Sequence, residues 1–321
     1  VKYAIGVNSG TDALIFALRA AGIGPGDKVI TVSHTFIASI AAIIHVGAQP
    51  ILIDVREDFN IDMEKIEEAI TPDARAILPV HLNGRLSEMD KLMEIAQKHN
   101  LIVIEDAAQA LGAKYQGKMA GTFGLAGCFS FYPAKLLGAA GDAGAVVTAD
   151  EKIAEKIRLY RNHGQKKNPQ GKIEIFCYGE TSRLDNLQAA ILNVKFKYLP
   201  QWIKRRREIA RIYHQGLANI GQIKLPPAPD INEKYFDVYQ NYVLKAERRD
   251  ELYNFLKEKG VETLIKDPIA NHLHPGLGLT HFNLPYTEKL AKEVISLPIY
   301  PELTNEQVDY VIDCIKKFYA G

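Results

Sequence analysis

The sequence contains little cysteine, no excess of one charge and no long apolar run. Its three cysteines, Cys128, Cys177 and Cys314, are too few to cross-link a secreted scaffold and too far apart for a zinc knuckle. With 39 basic and 38 acidic side chains, the formal net charge is +1, which predicts no general attraction to nucleic acids or anionic membranes. No apolar run reaches the roughly 18 residues that cross a bilayer, and no signal segment opens the chain. These absences predict a cytoplasmic protein with no metal site and no nucleic-acid or membrane partner.

The chain is long enough for more than one folding unit. It has 321 residues, of which 47% are hydrophobic and 24% charged, as in ordinary globular proteins. A single core rarely grows past about 250–300 residues. We therefore predict a large domain over residues 1–200 and a smaller C-terminal domain over residues 201–321.

Apolar runs typical of buried strands alternate with segments of helical period, which predicts an α/β fold with a mostly parallel sheet between two layers of helices. The predicted strands of this sheet are Tyr3–Val7, Lys28–Val32, Gln49–Asp54, Ala76–His81, Leu101–Glu105, Cys128–Tyr132 and Ala145–Thr148. The predicted helices between them are Ala13–Ala21, Phe36–Val46, Met63–Ile70 and Met89–Lys98. A long basic helix is predicted from Leu187 to about Gly216. The smaller α+β domain then has a strand at Val238–Lys245 and helices at Glu251–Lys259 and Glu306–Phe318.

A turn after the first predicted strand carries the residues Asn8-Ser9-Gly10-Thr11-Asp12 and opens a helix. Free backbone N–H groups and the helix dipole at such a turn suit an anion such as phosphate, so Gly10, Thr11 and Asp12 are candidate phosphate ligands. Thr11 or Asp12 can equally act as a plain helix cap with no ligand. Taken alone, this motif favours the plain cap.

The strand Leu101–Glu105 delivers carboxylates at its C-terminal end, where open parallel sheets bind their ligands. Asp106 is a candidate partner for the pyridine nitrogen of pyridoxal 5′-phosphate (PLP), because a carboxylate that keeps this nitrogen protonated makes the ring a better electron sink. Gln109 follows and can bond the ring hydroxyl. The alternative is that Asp106 only caps the next turn, with Glu105 on the opposite side of the strand.

Lys135 is the single lysine in the run Cys128–Gly138, which is otherwise mostly apolar. Burial at this position lowers the pKa of a lysine and favours the neutral amine that Schiff-base chemistry requires. The alternative is a surface lysine whose stem covers apolar neighbours. Ser130, in the same run, is a candidate donor to a cofactor phosphate or, alternatively, to a neighbouring strand.

Phe36, near the start of a predicted helix, is a candidate for stacking on a planar ring, although core packing is the commoner fate of phenylalanine. Each of these four features has an ordinary structural explanation when it is taken singly. Together, each in a loop beside a predicted strand, they favour a cofactor site.

In this order the motifs resemble the DegT/DnrJ/StrS family of PLP-dependent nucleotide-sugar aminotransferases, which have PLP fold type I. The similarity runs nearly end to end and includes Gly10–Leu14, His34–Phe36, Pro79–Leu82, Glu105–Gln109, Phe129–Lys135, Gly141–Ala145, Ser182–Asp185 and Leu297–Leu303. It implies transfer of an amino group, with glutamate as the expected donor, onto a nucleotide-linked keto-sugar of polysaccharide or antibiotic biosynthesis.

The resemblance also implies roles for individual residues. For the cofactor ring it implies Lys135 as the Schiff-base lysine, Asp106 at the pyridinium nitrogen, Gln109 at the ring hydroxyl and Phe36 as the stacking residue. For the phosphate it implies Gly10, Thr11, Asp12 and Ser130, with Thr181 contributed by the partner of a homodimer at a position where the family usually has asparagine. On the substrate side it implies His272, His81 and Arg183. Further cationic candidates for the substrate diphosphate are Arg161, Lys166 and Lys167, unless these are solvated loop charges.

Two other functions stay open at this point. One is a PLP-dependent sugar dehydratase of the same family, against which Lys135 argues because similar dehydratases have histidine there. The other is a non-catalytic regulatory or binding protein with the PLP-enzyme fold. Family members also carry an N-terminal segment that adds a helix and a loop over the substrate, and we expect such a segment to precede Val1 in the natural protein.

Overall fold

A computed structural model describes all residues from Val1 to Gly321. Its largest element is a seven-stranded sheet, whose strands in spatial order are β1 (Tyr3–Val7), β9 (Gly144–Thr148), β8 (Ala126–Ser130), β5 (Ile102–Asp106), β4 (Ala74–Ile77), β2 (Lys28–Val32) and β3 (Gln49–Ile53). Strand β9 pairs antiparallel with both of its neighbours, and all the other pairs are parallel. The prediction of an α/β fold with a large, mostly parallel sheet is confirmed.

Ten α-helices accompany the sheets. They are α1 (Gly10–Ala20), α2 (Ala38–His45), α3 (Met63–Glu68), α4 (Met89–Lys98), α5 (Glu151–Tyr160), α6 (Asn186–Phe196), α7 (Leu199–Leu217), α8 (Arg249–Glu258), α9 (Pro285–Glu293) and α10 (Asn305–Ala320). Helix α1 packs on β8 and β9 and contacts α2 and α5, whereas α4 packs on β5 and contacts α3. No helix in the structure combines the length and the apolarity that crossing a bilayer requires.

The C-terminal part contains a second, three-stranded antiparallel sheet. Its strands are β12 (Ile223–Lys224), β14 (Tyr242–Ala246) and β15 (Val294–Leu297). The remaining strands form a hairpin of β10 (Gln165–Lys167) with β11 (Ile173–Ile175), and a small sheet of β6 (Lys114–Tyr115), β7 (Lys118–Met119) and β13 (Tyr235–Phe236). The small sheet joins the two parts of the chain, because β13 comes from the C-terminal part and pairs with β6.

The N-terminal and C-terminal halves of α7 belong to two different large hydrophobic cores. Leu199 and Ile203 of this helix belong to the core around the seven-stranded sheet. Tyr213 and Leu217 belong to the core around the C-terminal sheet of β12, β14 and β15. The change from one core to the other therefore falls inside a continuous helix. A domain division at residue 200 stays our proposal.

The long helix predicted from Leu187 onward is two helices. Helix α6 ends at Phe196, and α7 starts at Leu199 with Pro200 in its first turn. Proline lacks the backbone N–H that a helix interior uses, but the first turn has no partner for that group. Pro200 therefore marks the start of a new helix within a region of continuous helical character.

Candidate active site

The N-terminus of α1 has free backbone N–H groups. Ser9 is the N-cap residue, and its hydroxyl accepts the N–H of Asp12 at 3.0 Å. The N–H groups of Gly10 and Thr11 have no acceptor in the protein. The cap is therefore Ser9 rather than Thr11 or Asp12, and two N–H groups at the positive end of the helix dipole are left for a ligand.

Asp12 is a correction to the predicted phosphate ligands. Its N–H is already bound to Ser9, and its carboxylate accepts the hydroxyl of Ser182 at 2.6 Å. A carboxylate repels a phosphate, so the side chain cannot act as a ligand in this arrangement. Asp12 instead holds Ser182 against α1.

Gly10 allows α1 to start directly against the end of β8. A Cβ atom at Gly10 would lie 2.7 Å from the Cβ atom of Ser130, closer than side chains approach. The Ser130 hydroxyl accepts the N–H of Tyr132 at 3.3 Å, which leaves its own hydrogen free to donate. The close approach thus brings a hydroxyl donor to the free N–H groups of α1.

Asp106 closes strand β5 and is 6% exposed. One carboxylate oxygen accepts the hydroxyl of Ser39 at 2.7 Å, and the other accepts the N–H of Ala108 at 3.1 Å. The turn-capping bond that sequence offered as the alternative role is therefore present. It does not exclude a ligand, because each carboxylate oxygen can accept a second hydrogen bond.

Glu105 points to the side of the strand opposite to Asp106, as expected for consecutive residues of a strand. One of its oxygens accepts Nε2 of His81 at 2.9 Å, and both oxygens accept backbone N–H groups, those of Gly121, Phe123 and Gly124. His81 is 0% exposed, and its Nδ1 accepts the N–H of Ser87. The prediction of a substrate contact from His81 is wrong for this arrangement, because both ring nitrogens are already bonded in the interior. The His81–Glu105 pair anchors the strand that carries Asp106.

Lys135 lies in the turn after β8 and is partly buried. Burial lowers the pKa of Lys135, and attraction to the Asp106 carboxylate opposes that shift. The two side chains are thus close enough to interact. Gln240, which is 7% exposed, holds the turn from both sides: its oxygen accepts the N–H of Leu136 at 2.6 Å, and its nitrogen donates to the carbonyl of Ala134 at 2.9 Å.

Gln109 belongs to a network that reaches into the C-terminal part of the chain. Its Oε1 accepts the backbone N–H of Asn83 at 2.8 Å and Nδ2 of Asn241 at 3.2 Å. Oδ1 of Asn241 in turn accepts the amine of Lys266 at 2.7 Å. Burial lowers the pKa of Lys266, and repulsion from Lys135 acts in the same direction, which places the two amines near one another.

Phe36 and His272 differ sharply in exposure. Phe36 is 63% exposed, so its ring is open to a planar partner. His272 is 0% exposed and lies between the hydroxyl of Ser33, at 2.9 Å from Nδ1, and the carboxylate of Glu288, at 3.3 Å from Nε2. The prediction of a substrate contact from His272 is therefore corrected to a buried link between the loop after β2 and α9.

The loop Thr181–Arg183 is anchored by its buried middle residue and exposes the two outer ones. Ser182 is bound to Asp12, whereas the hydroxyl of Thr181 contacts Nε2 of His163 at 2.7 Å. Arg183 donates to Oδ1 of Asn162 at 2.8 Å. Thr181 and Arg183 remain accessible from outside the chain.

The further cationic candidates for the substrate diphosphate also differ in their contacts and exposure. Arg161 donates to the carbonyl of Gly6 at 2.5 Å and thus serves its own chain. Lys166 is exposed and forms a surface pair with Glu155 at 3.7 Å. Lys167 is also exposed. None of the three is held toward Lys135 by a hydrogen bond.

Comparison with known proteins identifies the family to which the chain belongs. The sequence profile of the DegT/DnrJ/EryC1/StrS aminotransferase family matches residues 1–316. This protein is a member of the DegT/DnrJ/EryC1/StrS aminotransferase family. The resemblance seen in the sequence motifs is thereby confirmed over nearly the whole chain.

Relatives of this aminotransferase family match along their length. The "Pleiotropic regulatory protein" of Geobacillus stearothermophilus is 45% identical over 323 residues, which cover 99% of this chain and 85% of the relative. The "dTDP-3-amino-3,4,6-trideoxy-alpha-D-glucose transaminase" of Streptomyces venezuelae is 44% identical over 321 residues, or 98% of this chain and 83% of the relative. The crystal structure of S. venezuelae DesV in complex with a ketimine intermediate superposes with a TM-score of 0.94 at 42% identity, covering 100% of this chain and 86% of that one.

Sequence reasoning missed three residues of this DegT/DnrJ/EryC1/StrS aminotransferase. Gln240, Asn241 and Lys266 belong to the C-terminal part of the chain. Gln240 bonds to the turn that carries Lys135, Asn241 bonds to Gln109, and Lys266 bonds to Asn241. They follow no recognisable spacing relative to those turns. The one available signal was polarity, because Gln240 and Asn241 directly precede the apolar strand β14.

Proposed function

We propose that this protein is a PLP-dependent aminotransferase that moves an amino group from an amino acid, glutamate in the first place, onto a nucleotide-linked keto-sugar. The observation that carries the proposal is the partly buried amine of Lys135, which is close enough to the buried carboxylate of Asp106 for the two charges to interact. Family membership and the transaminase name of the Streptomyces relative support the reaction class and the nucleotide-sugar substrate.

The residues present fit PLP. The free N–H groups of Gly10 and Thr11 and the hydroxyl of Ser130 form a cradle for its phosphate, which a side chain at Gly10 would fill. Asp106 can accept from the pyridinium nitrogen and Gln109 can donate to the ring hydroxyl. Phe36 offers an exposed ring for stacking. When bound, PLP supplies an electron sink that weakens bonds at the α-carbon of an attached amine.

The role of Lys135 follows from its environment. A partly buried lysine with a lowered pKa provides the neutral amine that would hold the cofactor through its aldehyde carbon. Nζ of Lys135 would also take a proton from the α-carbon of the amino donor and return it on the cofactor side. The carboxylate of Asp106 would lie at the ring nitrogen. Lys135 is thus the catalytic base, and Gln240 is the residue that fixes its turn.

We further propose that the enzyme is a homodimer with shared active sites. Helix α6 buries only Leu192, while Leu187 and Val194 on the same helix are 69% and 58% exposed. The neighbouring Tyr178 is 92% exposed. Surfaces of this kind usually bind a partner. Thr181 lies in the adjoining loop, so a second copy can bring its hydroxyl to the phosphate cradle.

Two alternatives are less well supported. The name of the Geobacillus relative favours a regulatory protein, but a lysine whose pKa is lowered by burial, close to a buried carboxylate, is typical of a catalytic site. A sugar dehydratase is disfavoured by Lys135 itself. The cysteines are all free, which fits the reducing cytoplasm in which we place the enzyme.

The first test is spectroscopic and then chemical. Purified protein is mixed with PLP, and we expect a visible absorbance band that glutamate removes. Addition of nucleotide-linked keto-sugars should then restore the band and give amino sugars that mass spectrometry detects. Lys135→Ala should lose turnover by at least about 1,000-fold, whereas Lys292→Ala, an exposed lysine on α9, should not change it. If glutamate leaves the spectrum unchanged and no keto-sugar is aminated, the proposal is wrong.

A further inference from the structure

We propose that Lys266 and Asn241 are positioning residues that lock the side-chain amide of Gln109 with its nitrogen toward the ring hydroxyl of the cofactor. The inference rests on the proposed function and assigns roles to two residues outside the motifs from which that function was argued. It concerns a hydrogen-bonded chain that begins at an ammonium group and ends at the cofactor ring.

The orientation of Gln109 is set by a donor that cannot change its role. The backbone N–H of Asn83 can only donate, so the Gln109 atom 2.8 Å away from it must be the oxygen. The amide nitrogen of Gln109 is consequently the free end. Its two N–H groups have no acceptor in the protein.

The orientation of Asn241 is set in the same way from the other end. A protonated amine has three donors and no acceptor, so the Asn241 atom that lies 2.7 Å from Nζ of Lys266 must be the oxygen. The nitrogen of Asn241 then faces the oxygens of Gln109, at 3.2 Å, and of Asn83, at 3.1 Å. Each end of the chain forces the same arrangement, and no amide can turn over alone without placing two donors or two acceptors against each other.

The chain also has a direction of charge. The ammonium of Lys266 polarises the amide of Asn241, which donates to the oxygen of Gln109 and so polarises that amide in turn. A polarised amide nitrogen is a better donor to a ring oxygen that carries negative charge, since hydrogen bonds to charged groups are the stronger ones. Lys266 therefore acts on the cofactor through two other side chains.

The arrangement is more than packing between two parts of the chain. Gln240, the immediate neighbour of Asn241, bonds only to backbone atoms around Lys135, which suffices for docking. The Lys266–Asn241–Gln109 chain ends instead on a donor left open at the site. If the chain only held the two parts of the protein together, the amide nitrogen of Gln109 could equally well be bonded to a protein acceptor.

The experiment measures PLP affinity by titration of absorbance and fluorescence, without turnover. Gln109→Ala should weaken binding about 10-fold, and Lys266→Met should weaken it by about 3- to 10-fold because the amide of Asn241 is released. Lys266→Arg, which keeps a donor, should bind within about twofold of the unchanged protein. The matched control is Lys245→Met, which removes a half-buried lysine bonded to the Tyr286 hydroxyl at 3.0 Å outside the site.

Two further measurements separate positioning from a structural role. In the Gln109→Ala background, Lys266→Met should have no additional effect, because the two residues act through one contact. With a PLP analogue that lacks the ring hydroxyl, the loss caused by Lys266→Met should disappear. Thermal melting of the cofactor-free variants reports whether each one folds.

The outcomes distinguish this inference from the proposed function. If the unchanged protein does not bind PLP, both fall together. If it binds PLP but Lys266→Met and Gln109→Ala are additive, or the loss persists with the analogue that lacks the hydroxyl, the aminotransferase proposal stands and the positioning chain is refuted.

Discussion

At the residue scale, the site gathers two lysines where one would serve the chemistry. Burial lowers the pKa of Lys266 to about 8, repulsion from Lys135 acts in the same direction, and Asp267 opposes the shift. Burial likewise lowers the pKa of Lys135. When they are protonated, the two amines favour the binding of an anionic ligand, and PLP is such a ligand.

The lowered pKa of Lys266 predicts a pH dependence of stability. The folded protein releases this proton near pH 8, whereas the unfolded chain keeps it up to its ordinary value of 10.5. Between these values the unfolded state binds more protons, so this group makes the free energy of unfolding rise with pH. Urea unfolding of the cofactor-free protein should show a gain from pH 8 to pH 10 that is smaller in Lys266→Met, while Lys292→Met should retain it. Parallel profiles for all three proteins would contradict the shift.

The residue scale is also where sequence reasoning stopped short. Motifs identified the residues at the strand ends, including Asp106 and Lys135, because the C-terminal edge of a parallel sheet is a known place for ligands. They failed for His81 and His272, since a conspicuous polar residue in a motif can equally be turned inward. Only the packed structure shows that both imidazoles are fully buried.

At the element scale, the close contact between α1 and β8 decides the shape of the phosphate cradle. Helix α1 packs on both β8 and β9, and its first residue lies against the last residue of β8 with no room for a side chain. The helix start is therefore held in place by the sheet. The free N–H groups point from a rigid element rather than from a loop.

Gly10→Ala tests this contact. The new methyl group would meet Ser130 at 2.7 Å, so we expect a loss of about 1–3 kcal/mol in the free energy of unfolding, together with weaker PLP binding. Denaturant unfolding and cofactor titration measure both effects. The control is Gly221→Ala, at a glycine with open space around it, where stability should change little. A Gly10→Ala protein as stable as the unchanged one would show that the cradle is looser than described.

The elements themselves were largely predictable. Strands β1 and β2 and helix α4 have the bounds that periodicity predicts, because regular alternation and helical spacing are local signals. The start of α1 was placed three residues late, at Ala13, since its first turn contains the polar residues that also suit a loop. Short pairs such as β6 with β13 were not predicted, because each depends on a partner far away in the sequence.

At the scale of the whole molecule, the exposed apolar residues of α6 are the basis for the proposed homodimer. An aspartate at Val194, which is 58% exposed, should cost nothing in an isolated chain but should destabilise a dimer by burying a charge. Sedimentation equilibrium of Val194→Asp should therefore give a lower mass than the unchanged protein, with loss of activity. Ile231→Asp, at a residue elsewhere that is 69% exposed, should leave the mass unaltered. If the unchanged protein sediments as a monomer, the shared site is excluded.

Helix α7 has a mechanical consequence for the enzyme. It is anchored in one core by Ile203 and in the other by Tyr213, with unbroken helix between them. Helix α7 cannot act as a hinge for a movement of the C-terminal part, because bending it would stretch helical hydrogen bonds. The helix is therefore a stiff link between the two cores, so the C-terminal part that carries Asn241 and Lys266 should move together with the large sheet.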